Sequence, residues 1–178
     1  LVKPFRQGDL DSLCGLYAIL NGMRLVLPPD LPITKLDCRQ LFREGLAFLQ
    51  ENDCGDAARH GIPSKDWHAL ARFLLKHARR NGVADFRCGK RSVRKLSADR
   101  DEAIEEIEKS VARGVPVAVE LGKALNHYTV VAQTTDERWM LYDSHDHSWI
   151  NKRHVGYEKP FRHILGRRAV FFEVREGE

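Results

Sequence analysis

Gln7-Gly8-Asp9-Leu10-Asp11-Ser12-Leu13-Cys14-Gly15-Leu16-Tyr17-Ala18 is the stretch on which the reading of the whole chain turns. Asp11 and Ser12 are good N-cap residues. With a helix opening there, Leu13, Leu16, Tyr17, Leu20 and Met23 fall at helical spacing. Cys14 then stands in the first turn. Backbone N–H groups without intrahelical partners and the positive end of the helix dipole lie beside such a sulfur, and both favour thiolate over thiol. Free cysteine titrates near ~8.5, and placements of this kind lower that to roughly 3.5–7.5. Gly15 leaves the backbone uncrowded for an approaching carbonyl. A buried structural cysteine is the competing reading, so a nucleophile needs partners elsewhere in the chain.

Two partners are available in the second half. His127 follows Asn126 and opens an apolar run, Tyr128-Thr129-Val130-Val131. Asp143 ends the next run, Trp139-Met140-Leu141-Tyr142, and Thr134-Thr135-Asp136-Glu137 between them reads as a hairpin turn. Such a hairpin puts His127 and Asp143 at the same end, where the aspartate holds the ring's Nδ1–H and fixes the tautomer that faces the sulfur. An imidazolium about 4 Å from a thiolate gains on the order of 4 kcal/mol at an effective dielectric near ~20. The helix terminus adds only ~0.3–1 kcal/mol, so the histidine is the main activator. Gln7 stands a short polar stretch before Cys14. Its side-chain amide and the Cys14 N–H would form an oxyanion hole, one such donor being worth about 3–4 kcal/mol.

Between these ends the first half reads as helical. Residues 27–32 hold three prolines and must be loop. Thr34 caps a second helix carrying Leu36, Leu41, Phe42, Leu46 and Leu49. Residues 52–61 read as loop. Ser64 caps a third helix with Trp67, Leu70, Phe73, Leu74 and Ala78 on one face and Asn81-Gly82 as its stop. Residues 83–88 suit a short strand. Ser97 or Asp99 starts a fourth helix, with Ile104, Ile107 and Val111 repeating and Gly114 ending it. Residues 115–121, 128–133, 138–142 and 169–174 are rich in Val, Phe, Tyr and Trp and read as strands. Helices first and strands after predict an α+β fold, with the chemistry between a helix N-terminus and a sheet edge. Trp139, Trp149 and Tyr142 are candidates to wall a cleft, with core packing claiming at least two of them.

Length and composition bound the rest. The 178 residues suit one domain spanning 1–178, and the chain reads as excised from a longer protein. Hydrophobic residues at 43% and charged residues at 30% are ordinary for a globular chain, and no apolar run reaches the ~20 residues that span a bilayer. The net charge of +4 is mild. Basic residues gather at 76–80, 90–95 and 162–168 and read as solvated faces. No aromatic interleaving or known module points to nucleic acid, and the same field would steer an acidic protein partner. Cys14, Cys38, Cys54 and Cys88 lack the spacing of a disulfide scaffold, so reduced thiols in a reducing compartment are expected. No CxxC pair exists and no cofactor or metal is implied. The densest histidines, His145 and His147, alternate about Asp146 and with Asp143 make a weak metal-hydrolase alternative, since no further ligand is evident.

At the Gln7–Gly15 block, at His127-Tyr128-Thr129-Val130-Val131 and at Asp143, the chain resembles the papain-like cysteine peptidases. In detail it is similar to the bacterial peptidases that cleave after a double glycine and to the related leader-peptidase-like domains, some of which occur in interbacterial effector toxins. The resemblance covers both ends and leaves roughly 28–114 unmatched. Gln7 stands seven positions before Cys14 where the family usually has six, and Ser144 follows the aspartate where the family often has Pro. The resemblance implies a papain-like fold and endopeptidase cleavage of a protein or peptide after small residues such as Gly-Gly. It also implies the setting of a delivered toxin with an inhibitory immunity protein as partner. The same order of Cys, His and Asp serves transglutaminases, deamidases and acetyltransferases, and a non-catalytic binding module is the remaining alternative.

Overall fold

The computed structural model describes residues 3–8, 11–28 and 32–175. Helix α1 runs Cys14–Val26, with Leu13 as its cap residue and no side-chain cap. It therefore opens later than Asp11-Ser12. Asp11 still serves the terminus, its carboxylate accepting from the Leu13 N–H at 2.9 Å, and Cys14 becomes the first helical residue. The helix is apolar on nearly every side and is buried almost throughout.

Helix α2, Lys35–Glu51, starts at Thr34 as expected, where Thr34 and Asp37 form a reciprocal capping box. Leu41 and Leu49 face inward as expected, with Phe42 packed against the core, and Cys38 and Gly45 complete the buried face. Leu36 and Leu46 are exposed, because Gly45 lets the Leu16 side chain of α1 lie against the α2 backbone and so sets the rotation of the helix. The stretch taken as loop holds a one-turn helix α3, Ala57–His60. Helix α4, Ser64–Arg80, has Pro63 as cap residue and Ser64 as its first turn, a common position for the residue after a proline-fixed φ. Helix α5, Arg100–Ala112, is capped by Asp99, whose side chain accepts from the Asp101 and Glu102 N–H groups.

Among the described residues eight strands form one open sheet: β1 (Val93–Lys95), β2 (Val117–Lys123), β3 (His127–Thr134), β4 (Arg138–Tyr142), β5 (Trp149–Asn151), β6 (Val155–Gly156), β7 (His163–Leu165) and β8 (Arg168–Phe171). Their main order is β1-β8-β2-β3-β4-β5. Every pairing is antiparallel except β6 with β7, and β7 extends the sheet beside the second half of β2. The fold is α+β, with helices packed on an antiparallel open sheet. β1, β5, β6 and β7 went unpredicted because two or three residues carry no alternation to read. Residues 83–88 make only a single bridge, Phe86 to Val174.

The sheet has a core on each face. Ala118, Tyr128, Val130, Tyr142 and Val170 face α1, α2 and α4, while Val117, Val119, Leu121, Val131, Trp139 and Phe171 face α5. This is the two-residue period of a strand covered on both sides. It places Trp139 and Tyr142 in the core and leaves only Trp149 exposed, where Arg138 lies over its ring at 4.0 Å. No tryptophan-walled cleft forms. Among the described residues no helix is long and apolar enough to cross a membrane. All four cysteines are free thiols, and burial pushes Cys38 up to about 11.

Candidate active site

Four segments remote in sequence meet at the N-terminus of α1. Gly15 lets them meet, for a reason different from substrate access. A Cβ there would lie 2.8 Å from Trp67 Cδ1 and 3.1 Å from Tyr128 Cδ2, so only glycine allows α1 to seat on α4 and β3. Trp67 Nε1 donates to the Gly15 carbonyl at 2.9 Å, and the Tyr128 hydroxyl donates to the Ile62 carbonyl at 2.8 Å. The Cys14 end of α1 is thereby fixed against the sheet.

His127 opens β3, opposite Leu121 of β2, and is buried. It sits at the end of a central strand, not at a sheet edge. Its Nε2 lies 2.8 Å from Asp143 Oδ2. The aspartate thus holds the distal ring nitrogen, not the expected Nδ1. Register explains the difference. Val130 pairs with Tyr142, so one step further Thr129, not His127, stands opposite Asp143. The imidazole must reach diagonally, and it does so with its far edge. Nδ1 is left as the ring nitrogen available to Cys14, which lies close enough to act on the ring's charge. Burial alone would lower the His127 pKa. The hydrogen bonds to Asp143 and Cys14, with their charges, outweigh it and raise it to about 9. Asp143 shows the mirror image: burial pushes up, but the His127 contact pulls its carboxyl below the ordinary range. The Thr129 hydroxyl adds to that lowering without closing a standard hydrogen bond of its own.

The other carboxylate oxygen organises the following loop. Asp143 Oδ1 accepts from the His145 N–H at 2.7 Å and the His147 N–H at 3.3 Å. Residues 144–147 are therefore a turn, with Asp146 at φ +62, rather than an extended stretch with two histidines on one face. The His145 and His147 rings instead flank His127, their centroids 5.1 and 5.6 Å from its own. Among the described residues no three His, Cys, Asp or Glu side chains are placed to hold a metal ion.

Gln7 enters from the opposite side and is buried. Its backbone N–H donates to the Ser144 carbonyl at 3.1 Å, and its side-chain Nε2 donates to the Asp11 carbonyl. Oε1 is buried with no partner. An amide nitrogen carries two hydrogens, so one remains after the Asp11 bond. What holds this strand-like arm is Asn21, a residue the sequence reading passed over. Its Oδ1 accepts from the Phe5 N–H at 2.7 Å and its Nδ2 donates to the Phe5 carbonyl at 3.1 Å. The available signal was a lone amide in the apolar run Leu20-Asn21-Gly22-Met23, since a polar group in a buried helix must find partners. Trp67 was read only as core, and Thr129 only as strand.

The structure thus brings Asp143 onto the His127 ring by a direct hydrogen bond, sets Cys14 near enough to act on the ring's charge, and ties Gln7 to the same loop through Ser144. As first helical residue, Cys14 has an N–H outside the helix ladder. Such an arrangement can hold a sulfur nucleophile, a proton carrier and an oxyanion. A scan of protein-family models, a search of curated proteins and a search of solved structures each returned no match to this chain.

Proposed function

We propose that the chain is a papain-like cysteine endopeptidase acting on a protein or peptide. The observation that carries this reading is the position of His127, buried beside Cys14 and bonded through Nε2 to the Asp143 carboxylate at 2.8 Å; these neighbours raise its pKa to about 9. At neutral pH the ring is imidazolium. It can stabilise a thiolate and then act as the acid for a leaving amine.

In the first half-reaction the Cys14 sulfur attacks the scissile carbonyl carbon. Negative charge moves to the oxygen, which the Cys14 N–H and the second hydrogen of Gln7 Nε2 receive. The imidazolium gives its proton to the amine nitrogen, the C–N bond breaks, and a thioester remains. The neutral ring then takes a proton from water as hydroxide adds to the thioester. The C–S bond breaks, the acid product leaves, and the imidazolium–thiolate pair is restored. Asp143 neither gains nor loses a proton. It holds Nε2 and keeps Nδ1 toward sulfur. Preference for Gly-Gly on the acyl side, delivery as an interbacterial effector and restraint by an immunity protein follow from the family resemblance.

The decisive experiment compares new protein N-termini in a proteome treated with wild type and with Cys14→Ala. Termini that cluster after small residues and vanish with the variant support the proposal. Cleavage that persists in the variant ends it. Intact backbones bearing deamidated or acylated side chains would transfer the same site to another acyl-transfer reaction.

A further inference from the structure

The basic run at 162–168 finds a use that the peptidase reading does not supply. Arg167 and Arg168 approach the first turns of α4, and with Ser64, Lys65, His68 and Arg72 they line a cavity of about 410 Å³. That volume is in the ~300–1,000 Å³ range of small-molecule sites. The lining contains four cations and no acid. Among the described residues none of the four forms a salt bridge. Gathering unpaired like charges costs folding energy, and an anion in their midst would remove that cost.

Two further features border the same space. The cavity adjoins the N-terminus of α4, a helix of 17 residues whose first N–H groups and dipole favour an anion. His68 sits one turn in, 6% exposed, and its ring forms part of the cavity wall. Its unpartnered Nε2 has almost no solvent-accessible surface and so faces the protein rather than the cavity. Burial, with the Arg168 and Arg72 charges acting in the same sense against the backbone of Arg168 and Ser64, lowers the pKa of this ring to about 4. At neutral pH it is an uncharged wall among the cations.

We infer that this cavity is a binding site for a phosphorylated small molecule, its phosphate held by Lys65, Arg72, Arg168 and the start of α4. A planar guanidinium fork matches phosphate oxygens, and two are present with a lysine beside them. The site is separate from the Cys14 machinery and does not depend on the reaction proposed for it.

The test uses the full chain titrated with inorganic phosphate and with pyrophosphate, followed by calorimetry and by thermal melting, against potassium chloride of equal ionic strength. Saturable binding is expected for both, tighter for pyrophosphate if a polyphosphate is the natural group and equal if a single phosphate is. Lys65→Ser/Arg168→Ser, both at exposed side chains, should weaken binding at least tenfold. Arg113→Ser, at the far end of α5, should leave it unchanged. A response equal to that of chloride, or binding unaltered in the double variant, overturns the inference. So does capture of a short RNA by a protein that ignores both phosphates.

Discussion

Asp143→Asn isolates the charge of one oxygen from the shape of the side chain. In the wild type Oδ2 takes the His127 Nε2–H and Oδ1 takes the His145 and His147 N–H groups, so both oxygens face donors. Asparagine has one oxygen and one NH2 group. Whichever way it turns, the NH2 faces a donor, and the carboxylate charge is gone. Burial, which lowers the His127 pKa, then acts with only Cys14 opposing it. The ring should fall from about 9 to 6.5 or below. At ~1.4 kcal/mol per pH unit, imidazolium loses about 3.5 kcal/mol of preference. That bounds the loss in kcat/KM at roughly 10²–10³-fold, less severe than the complete loss expected for Cys14→Ala. The assay is a pH titration of the His127 Cε1–H resonance, paired with iodoacetamide alkylation of Cys14 at pH 6. A wild-type ring titrating near 6.5, or a variant ring still near 9, would refute the reasoning.

The same pair predicts how stability follows pH. His127 has a raised folded pKa, so its contribution is complete below about 6.5 and disappears as pH rises through about 9. Asp143 has a lowered one, so its contribution is present above about 3.9 and disappears as pH falls below that. The gap in melting temperature between wild type and Asp143→Asn should be widest near pH 4–6.5 and narrow above pH 9 without closing, because Oδ1 still holds the His145 and His147 N–H groups. Gly15→Ala forces a methyl onto Trp67 and Tyr128 and should cost ~1–3 kcal/mol in urea unfolding. Asn21→Ala orphans the Phe5 N–H and C=O and should cost about 2 kcal/mol. It should also lower kcat more than it raises KM, because it loosens the arm carrying Gln7; an unchanged kcat in a folded variant would contradict that role.

Long amphipathic segments were legible in the sequence because burial repeats along them. Thr34 and Asp99 marked true helix starts, and the hairpin over residues 134–137 closes as its turn residues require, with the Thr135 N–H bonded to the Arg138 carbonyl. The candidate site was legible for a related reason. A cysteine before an apolar helix, and a His and an Asp ending paired strands, each depend on local pattern. What could not be read depended on orientation. The rotation of α2 is set by Gly45 meeting Leu16, a contact between helices. The choice of Nε2 over Nδ1 is set by a register one residue off opposition, with a bulge between Val131 and Gln133 nearby. Short strands such as Val155–Gly156 exist only because a neighbour is present to pair with them.

The loop at residues 143–147 links parts that the sequence presents as separate. Asp143 steadies the ring with one oxygen and, with the other, curls the chain so that the Ser144 carbonyl faces the Gln7 N–H. Gln7 is held a second time through Phe5 and Asn21. The arm carrying Gln7 and the His127 ring therefore rest on the same carboxylate, although Gln7 and His127 lie far apart in the chain. Removing the His127 ring leaves the Oδ1 bonds and the Ser144 carbonyl in place. Removing the Asp143 charge disturbs both. His127→Gln should then spare the side-chain amide resonances of Gln7, and Asp143→Asn should shift them. Equal shifts in the two variants would mean that the arm is held by α1 alone.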